Sequence, residues 1–352
     1  MMIKEKKYAM LTGGFTMLLL FIITGIMIYV DPVFHYHGPI NGIAYKFYEG
    51  ERYVNDGITR YYDYNAIITG TSMTENFKTS ECNEIFGVTS IKVPFSGAHY
   101  KEINENLKVA FKTHDDIKIV IRCIDTFTMI DDKDAQRLDV YPTYLTNDNL
   151  LDDVKYIFNK EMIFNAFRYI AYGLMGEEMS SLDEHASWGG QEYDKDLVLK
   201  NYNRGKWVEN EGLTVEETKM IEDNINQNIV STIAKNADCM FYLFFQPSSI
   251  LYYDYLFSNG EFYKIWQGEQ IIVEKLLQYD NVKIYGWADQ YDLTTNLAEY
   301  RDISHYLENT NTEMLIWMAN DVGLLTADNY KEYFKQCTEF YETYDYDAIF
   351  NH

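Results

Sequence analysis

Ser72 is the residue best placed to act as a nucleophile in this sequence. It follows the apolar run Ala66 to Thr69 in the stretch Ile-Ile-Thr-Gly-Thr-Ser-Met. A serine at a strand-to-helix corner exposes its hydroxyl at the carboxyl edge of a sheet, where helix amides can stabilise negative charge. Ser72-x-x-Glu75 also fits a capping box, in which the serine only satisfies helix amides. The motif alone leaves both roles open.

A general base and a residue to orient it occur far downstream, at Asp302 and His305. An Asp three residues before a His in a tight turn can accept the imidazole N–H and stabilise the imidazolium that forms when the ring takes a proton. Taken alone, such a spacing is more often a surface pair in a polar loop. A parallel sheet brings the ends of its strands to one edge, so we predict a catalytic triad of Ser72, His305 and Asp302.

Three more residues follow the second and third apolar runs. The Gly97 amide is a candidate to join the Ser72 amide in an oxyanion hole, with an ordinary turn glycine as the alternative. Asp125 and His99 are candidates for the substrate pocket. A lone histidine beside a loop is more often structural, so His99 is given no catalytic role.

The elements that must position these residues form an alternating pattern. Segments with helical spacing, such as Lys101 to Lys112, separate short apolar runs. This order predicts an α/β fold, a three-layer α/β/α sandwich with a mainly parallel five-stranded sheet, over residues 66–352. The interval at about 127–212 breaks the alternation and is interpreted as an insertion over the carboxyl end of the sheet. The five predicted strands are Ala66 to Thr69, Val88 to Val93, Ile117 to Ile124, Met240 to Phe245 and Val282 to Tyr285.

The N-terminus predicts one transmembrane helix. Tyr8 to Val30 carries no charged side chain and matches the roughly 20 residues that a helix needs to cross a bilayer. Lysines precede it, which favours a cytoplasmic tip and anchor in residues 1–30, a juxtamembrane segment in residues 31–65, and an extracytoplasmic domain. A cleaved secretory signal is the alternative, but no clear small-x-small cleavage site precedes Asp31.

Charge and cysteine content exclude other classes of function. The 352 residues contain 30 Lys+Arg and 54 Asp+Glu, and the net charge of -24 repels nucleic acid and anionic lipid headgroups. Membrane attachment must therefore come from the N-terminal helix. Four scattered cysteines show no zinc-site spacing, so no metal or cofactor is expected. Disulfide formation and simple burial both remain open for Cys82, Cys123, Cys239 and Cys337.

The blocks around Ser72, Gly97 and Asp302-x-x-His305 resemble those of the SGNH (GDSL-like) hydrolase superfamily, over most of the chain beyond the anchor. The closer likeness is to its membrane-anchored DltD-like and alginate-O-acetylation-like members. The stretch Tyr-Arg-Asp-Ile-Ser-His-Tyr resembles the DxSHY segment of these members. The superfamily's usual Gly-x-Asn-Asp block, whose asparagine helps the oxyanion hole, is absent. Asp125 stands where that block would be, and an acid cannot donate an amide N–H.

The resemblance implies a flavodoxin-like SGNH fold and a serine esterase or O-acyltransferase that acts on acyl esters of cell-envelope polysaccharide or a related polymer. It also implies an integral-membrane O-acyltransferase as a partner. A noncatalytic glycan-binding or assembly protein on the same fold is the alternative. The acyl group, the acceptor and the choice between water and sugar are not fixed by the sequence.

Overall fold

The structure is a computed structural model that describes residues 2–137, 139–140, 142–147 and 149–350. The helices are α1 (Met2–Val30), α2 (Glu51–Tyr61), α3 (Thr79–Phe86), α4 (Tyr100–Thr113), α5 (Thr143–Thr146), α6 (Val154–Ile157), α7 (Lys160–Leu174), α8 (Lys195–Asn201), α9 (Val215–Ile225), α10 (Ser231–Ile233), α11 (Ile250–Asn259), α12 (Phe262–Leu276), α13 (Tyr291–Thr294), α14 (Glu308–Ala319), α15 (Tyr330–Thr343) and α16 (Asp347–Phe350). The strands are β1 (Ala66–Gly70), β2 (Ser90–Pro94), β3 (Ile119–Cys123), β4 (Met240–Phe244), β5 (Val282–Tyr285) and β6 (Leu324–Leu325).

The strands form one mixed sheet in the order β2-β1-β3-β4-β5-β6. Neighbours from β2 to β5 pair in parallel, whereas β6 pairs antiparallel to β5. The five predicted runs correspond to β1–β5, so the α/β class is confirmed. The predicted number of five strands is wrong, because the sheet has six. A strand of two residues is too short to show any alternation or apolar run in a sequence.

The helices that connect the strands pack in two groups. In the first group α3 contacts β2 and α14. In the second, α4 contacts α10 and the π-helical turn Asn226–Val230 that precedes it, while α9 contacts α12 and α12 contacts α15. Every residue of β1 and β2 is buried, as in parallel strands covered on both faces.

The chain divides into two compact units. The first contains residues 1–62 and 138–181, and therefore α1, α2 and α5–α7. The second contains residues 63–137 and 182–352, and therefore the whole sheet with its connecting helices. Residues 138–181 come from the interval interpreted as an insertion.

Helix α1 is long and apolar enough to cross a membrane over Lys4–Val30, with a mean hydropathy of 2.2 in its most apolar window. Most of its surface is exposed, but Met27 and Val30 near its end are fully buried within the first unit. The Val30 carbonyl also accepts a hydrogen bond of 2.6 Å from the Tyr45 hydroxyl. The end of this helix is thus part of a packed structure.

One buried carboxylate organises the segment that follows α1. Asp31 has a φ of 47° and accepts hydrogen bonds from the amides of His35, Tyr36 and His37. The Tyr156 hydroxyl also donates to it over 2.6 Å. Burial raises the pKa of Asp31, although these hydrogen bonds oppose the shift. A single side chain therefore folds the chain back immediately after the apolar helix.

The four cysteines, Cys82, Cys123, Cys239 and Cys337, are buried free thiols. Burial raises the pKa of Cys82 to about 11 and that of Cys239 to about 12. Thiols that remain protonated are poor nucleophiles and poor metal ligands. In this structure they pack as small apolar side chains.

Candidate active site

The side chains of Ser72, His305 and Asp302 form one continuous row of hydrogen bonds. The Ser72 hydroxyl oxygen lies 2.9 Å from His305 Nε2. On the other side of the ring, His305 Nδ1 lies 2.7 Å from an oxygen of the Asp302 carboxylate. The His305 and Asp302 side chains are 29% and 40% exposed, so this row of side chains is open to solvent. The structure thus brings together a serine and a histidine that are 233 positions apart.

The corner that presents Ser72 requires a glycine at the end of β1. Gly70 has a φ of 151°, and a Cβ there would lie 2.7 Å from Thr74 Cγ2 and 2.8 Å from Cys123 Cβ. The chain then enters a short 3-10 turn, Ser72–Thr74, and α3 begins only at Thr79. The turn is therefore tighter than the strand-to-helix corner that the sequence predicts.

Ser72 is not the capping residue of this turn. Thr71 occupies the N-cap position and makes no capping hydrogen bond with its side chain. The Glu75 carboxylate, which would complete a capping box, accepts a hydrogen bond from the Trp188 indole. The geometry favours the first of the two roles left open by the sequence, with the serine hydroxyl directed to the histidine.

The loop that carries the histidine is fixed at both ends and at its middle. Tyr300 and Tyr306 form an antiparallel bridge that closes it. The amide and the hydroxyl of Ser249 both donate to the Ile303 carbonyl, over 3.0 Å and 2.8 Å. Because Ser249 directly precedes α11, the loop is attached to the helix that follows β4. This attachment holds His305 at the same edge of the sheet as the end of β1.

Asp302 both shapes the loop and contacts the imidazole. One carboxylate oxygen accepts the amides of Ser304 and His305 over 2.9 Å and 2.8 Å, while the other faces His305 Nδ1. Burial alone would raise the pKa of the Asp302 carboxyl, but the hydrogen bonds and the charge of His305 together lower it. The carboxylate therefore stays ionised beside His305 Nδ1.

Asp125 lies directly after β3, beside the serine turn. Its two carboxylate oxygens accept hydrogen bonds from the Thr71 hydroxyl, over 2.8 Å, and from the Phe127 amide, over 3.0 Å. Burial raises the pKa of Asp125, and these hydrogen bonds and the charge of His305 partly offset the shift. Asp125 is thus near the triad and supports the residue before Ser72, rather than offering a donor to a substrate.

Gly97 lies in an exposed turn after β2, with a φ of 60°. A Cβ at this position would lie 3.1 Å from Nη1 of Arg137, so the arginine packs closely over the turn. Among the described residues, neither the Gly97 amide nor the Ser72 amide donates a hydrogen bond to another protein atom. Both amides therefore lack a protein acceptor in the part of the chain that the structure describes.

His99 has a structural partner. Its Nδ1 lies 2.7 Å from the Asp131 carboxylate, and its amide donates to the Glu102 side chain at the start of α4. These contacts tie the loop after β2 to the segment that follows β3. His99 is thus held by its own neighbours, and among the described contacts none joins it to the Ser72–His305 pair.

Trp188 is a residue of the site that sequence reasoning did not find. Its ring meets the His305 ring edge-on, with centroids 4.8 Å apart, and the Arg301 guanidinium lies 5.1 Å from the indole centroid. The Trp188 amide donates to Asn76, and its indole N–H donates to Glu75. A single tryptophan in the polar stretch between α7 and α8 carries no spacing signal, so only the fold reveals its position.

When a serine hydroxyl, an imidazole and a carboxylate are joined in this order, the imidazole can take the proton of the hydroxyl as the serine oxygen attacks a carbonyl carbon. Within the described residues, no group of three His, Cys, Asp or Glu side chains could hold a metal ion. The fold and the site together define an α/β protein with a Ser-His-Asp arrangement at the end of its first strand. Neither a scan of protein-family models nor a search of curated proteins finds a match for this chain.

Proposed function

We propose that this protein is a membrane-anchored serine esterase or O-acyltransferase that works outside the cytoplasm through an acyl-serine intermediate. The observation that carries the proposal is the row of hydrogen bonds from Ser72 to His305, at 2.9 Å, and from His305 to Asp302, at 2.7 Å. Nucleophile, base and orienting acid are within contact distance in the order that activates a serine.

In the proposed reaction, His305 Nε2 accepts the Ser72 proton as Oγ attacks the carbonyl carbon of an ester. The tetrahedral oxyanion collapses, the ester C–O bond breaks, and the imidazolium returns its proton to the leaving alcohol. Water or a sugar hydroxyl then loses its proton to His305 as it attacks the acyl-serine. The bond between the acyl carbon and Ser72 Oγ breaks, the imidazolium returns the proton to Oγ, and a free acid or a new ester leaves. Asp302 holds the ring and stabilises its positive charge.

The proposed oxyanion hole uses backbone amides. The Ser72 and Gly97 amides lack partners among the described residues, as donors reserved for a developing oxyanion must. Asp125 cannot replace the amide side chain of the superfamily, because a carboxyl group has no N–H to donate and its two oxygens act here as acceptors. The proposed hole therefore has two donors rather than three.

The proposed fold is a three-layer α/β/α sandwich of the flavodoxin-like SGNH kind. The parallel part of the sheet has the order β2-β1-β3-β4-β5, which is the flavodoxin-like order. The contact between α3 and α14, and the separate contacts among α4, α9, α10 and α12, support one helical layer on each face. This arrangement and the geometry of the triad support the resemblance to SGNH proteins that the sequence blocks suggest.

The proposed location is the membrane, with the second unit outside the cytoplasm. Lysines before the apolar part of α1 favour a cytoplasmic N-terminus. Burial of Met27 and Val30 within the first unit supports an uncleaved anchor, since removing α1 would expose the surfaces that they cover.

The proposed substrates are acyl esters on cell-envelope polysaccharide or a related polymer. This assignment comes from the resemblance to membrane-anchored acylation proteins and from the proposed location. The same resemblance suggests an integral-membrane O-acyltransferase that supplies acyl groups across the bilayer. Hydrolysis and transfer use the same acyl-serine and differ only in the acceptor.

A noncatalytic glycan-binding or assembly protein is the second candidate. The observation that favours it is Asp125, a carboxylate that accepts two hydrogen bonds where the superfamily's block with its amide donor would be. With fewer donors, the stabilisation of an oxyanion falls, since each donor contributes about 10²–10³ in rate in known serine hydrolases.

A fluorophosphonate probe separates the two candidates. With the full chain in detergent, we expect labelling of the wild type and none of Ser72→Ala. Ser258→Ala is the matched control, because in the described part of the chain the Ser258 hydroxyl donates to a carbonyl within α11, over 2.9 Å, and to no residue of the site. This control variant should label as the wild type does.

Folded wild-type protein that takes up no probe would favour the binding protein. Labelling that persists in Ser72→Ala would place the nucleophile elsewhere and end the proposal. Near-ultraviolet circular dichroism of each variant checks that loss of labelling does not reflect loss of the fold.

A further inference from the structure

The first unit exposes an unusual concentration of large apolar side chains. Outside α1, nearly half of the exposed large hydrophobic side chains in the described part of the chain lie between residues 150 and 175. Isolated exposed apolar residues are ordinary, whereas a concentration of them marks a surface that is covered in use. These side chains are Leu150, Leu151, Val154, Phe158, Phe164, Phe167, Leu174 and Met175.

Helix α7 presents part of this set as a stripe. Phe164, Phe167 and Leu174 are 62%, 49% and 84% exposed, at spacings that place them on one side of a helix. The opposite side of α7 is buried in the first unit and consists of Met162, Asn165, Ala166 and Tyr169. The helix is therefore packed on one face and apolar but uncovered on the other.

The packed face fixes α7 at the end of the membrane helix. Both α6 and α7 contact α1, and burial in α1 is confined to its last turns, which include Met27 and Val30. The Ala44 amide donates to the Tyr169 carbonyl, over 3.2 Å. A Cβ at Gly173 would collide with the Gly42 carbonyl oxygen, so the end of α7 lies directly against the juxtamembrane chain.

We propose that α7 is an interfacial helix whose exposed stripe, Phe164, Phe167 and Leu174, is immersed in the lipid headgroup and acyl boundary at the C-terminal end of α1. The covering partner is the lipid bilayer itself, because α7 is bound to the part of α1 that leaves the apolar layer. Interfacial helices bind through buried apolar area and through attraction to anionic lipids. With a net charge of -24, this chain relies on the apolar contribution.

Aromatic and cationic side chains beside the stripe are of the types that favour the boundary between lipid headgroups and acyl chains. Tyr48 is about half exposed, and the Arg168 guanidinium lies 4.1 Å from the centroid of its ring. Tyrosine and arginine are favoured where an apolar body meets a polar surface. This inference depends on α1 crossing a membrane and not on the chemistry of Ser72.

The test is fluorescence of an environment-sensitive thiol dye on the full chain in vesicles of synthetic phosphatidylcholine. The four native cysteines are buried, so single introduced cysteines can be labelled selectively. For Phe167→Cys and Leu174→Cys we expect blue-shifted emission that is quenched by lipids carrying a nitroxide near the headgroup. Val215→Cys is the matched control, since Val215 is 90% exposed in the second unit and should give water-like emission without quenching.

Leu18→Cys, within the apolar part of α1, reports insertion of the anchor and should be quenched by nitroxides deep in the acyl chains. Quenching at Leu18 with water-like emission at positions 167 and 174 would overturn the proposal and favour a protein partner for the stripe. Absence of quenching at Leu18 would overturn it as well, since α1 would then not span the bilayer. Because the vesicles contain no other protein, quenching at 167 and 174 can only come from lipid.

Discussion

At the scale of single residues, the Asp302 carboxylate is the group on which the proposed site depends most. Its hydrogen bonds to two amides build the loop, and its bond to Nδ1 selects which nitrogen of His305 faces Ser72. These contacts lower the pKa of the Asp302 carboxyl from its ordinary value of 3.8. Its contribution to the free energy of unfolding is therefore fully present above pH 3.8 and is lost as the pH falls through the lowered pKa. At neutral pH the Asp302 carboxylate is therefore ionised and can accept all three hydrogen bonds.

Replacing Asp302 with Asn separates its two roles. The amide oxygen of Asp302→Asn can still accept the loop amides, but its NH2 would face Nδ1 and favour the wrong ring tautomer. We expect the rate of fluorophosphonate labelling to fall by about 10²–10⁴. The measurement is the pseudo-first-order labelling rate at neutral pH.

Asp292→Asn is the control for this substitution, because Asp292 is an exposed acid in the first turn of α13. It should change the labelling rate by less than about twofold, as surface changes usually do. A normal rate in Asp302→Asn would show that the carboxylate does not orient the ring.

At the scale of elements, the end of β1 controls the position of the nucleophile. The strand is buried along its length, and Gly70 has a backbone conformation that only glycine adopts easily. The space that a side chain would need is filled by Thr74 and Cys123. The backbone at the start of the serine turn therefore leaves no room for a side chain at position 70, although the turn lies at the edge of the sheet.

Gly70→Ala should destabilise the protein and displace the serine. We expect a loss of about 1–3 kcal/mol of unfolding free energy from backbone strain and close contacts, and a reduced labelling rate in the folded fraction. The measurement is the midpoint of thermal unfolding of the full chain in detergent, followed by near-ultraviolet circular dichroism.

The matched control is Gly87→Ala at the end of α3. Gly87 has a φ of 65°, but nothing lies within 4 Å of an added Cβ. Its substitution should cost only about 1 kcal/mol for the left-handed backbone and leave labelling unchanged. Equal effects of the two substitutions would mean that crowding at the serine turn is unimportant.

At the scale of the whole molecule, stability should respond to pH through a buried acid on α12. Burial raises the pKa of Glu269, on α12, to about 8 from an ordinary value of 4.5. Between these values the folded chain holds a proton that the unfolded chain has released. Its contribution to the unfolding free energy therefore falls as the pH rises from 4.5 to about 8.

Glu269→Gln should remove this dependence. We expect the variant to be more stable than the wild type by about 1–3 kcal/mol at pH 8, with the difference vanishing below pH 4.5. Thermal unfolding midpoints across this range give the measurement. Glu313→Gln, at an exposed position on α14, is the control and should show no such trend; a parallel shift at every pH in Glu269→Gln would contradict the argument.

The sequence by itself determined the elements whose signal is local. Five apolar runs predict β1–β5 because a strand buried on both faces needs consecutive apolar residues. The charge-free run from Tyr8 to Val30 predicts the apolar part of α1, because a helix needs about 20 apolar residues to cross a bilayer. Ser72, Asp302 and His305 could be named as candidates because strand ends and a short Asp-x-x-His spacing are also local features.

Tertiary structure alone decided what depends on contacts between distant segments. The strand β6 exists because Leu324–Leu325 can pair with the edge of β5, and two residues carry no pattern of their own. The contacts of Trp188 with His305 and of Asp125 with Thr71 arise from chain packing, which no spacing encodes. The meeting of a hydroxyl and an imidazole 233 positions apart was only an expectation until parallel strand order placed both at one edge. The sequence gives the chemical type of each side chain, whereas the distance between two side chains depends on the free energy of packing the whole chain.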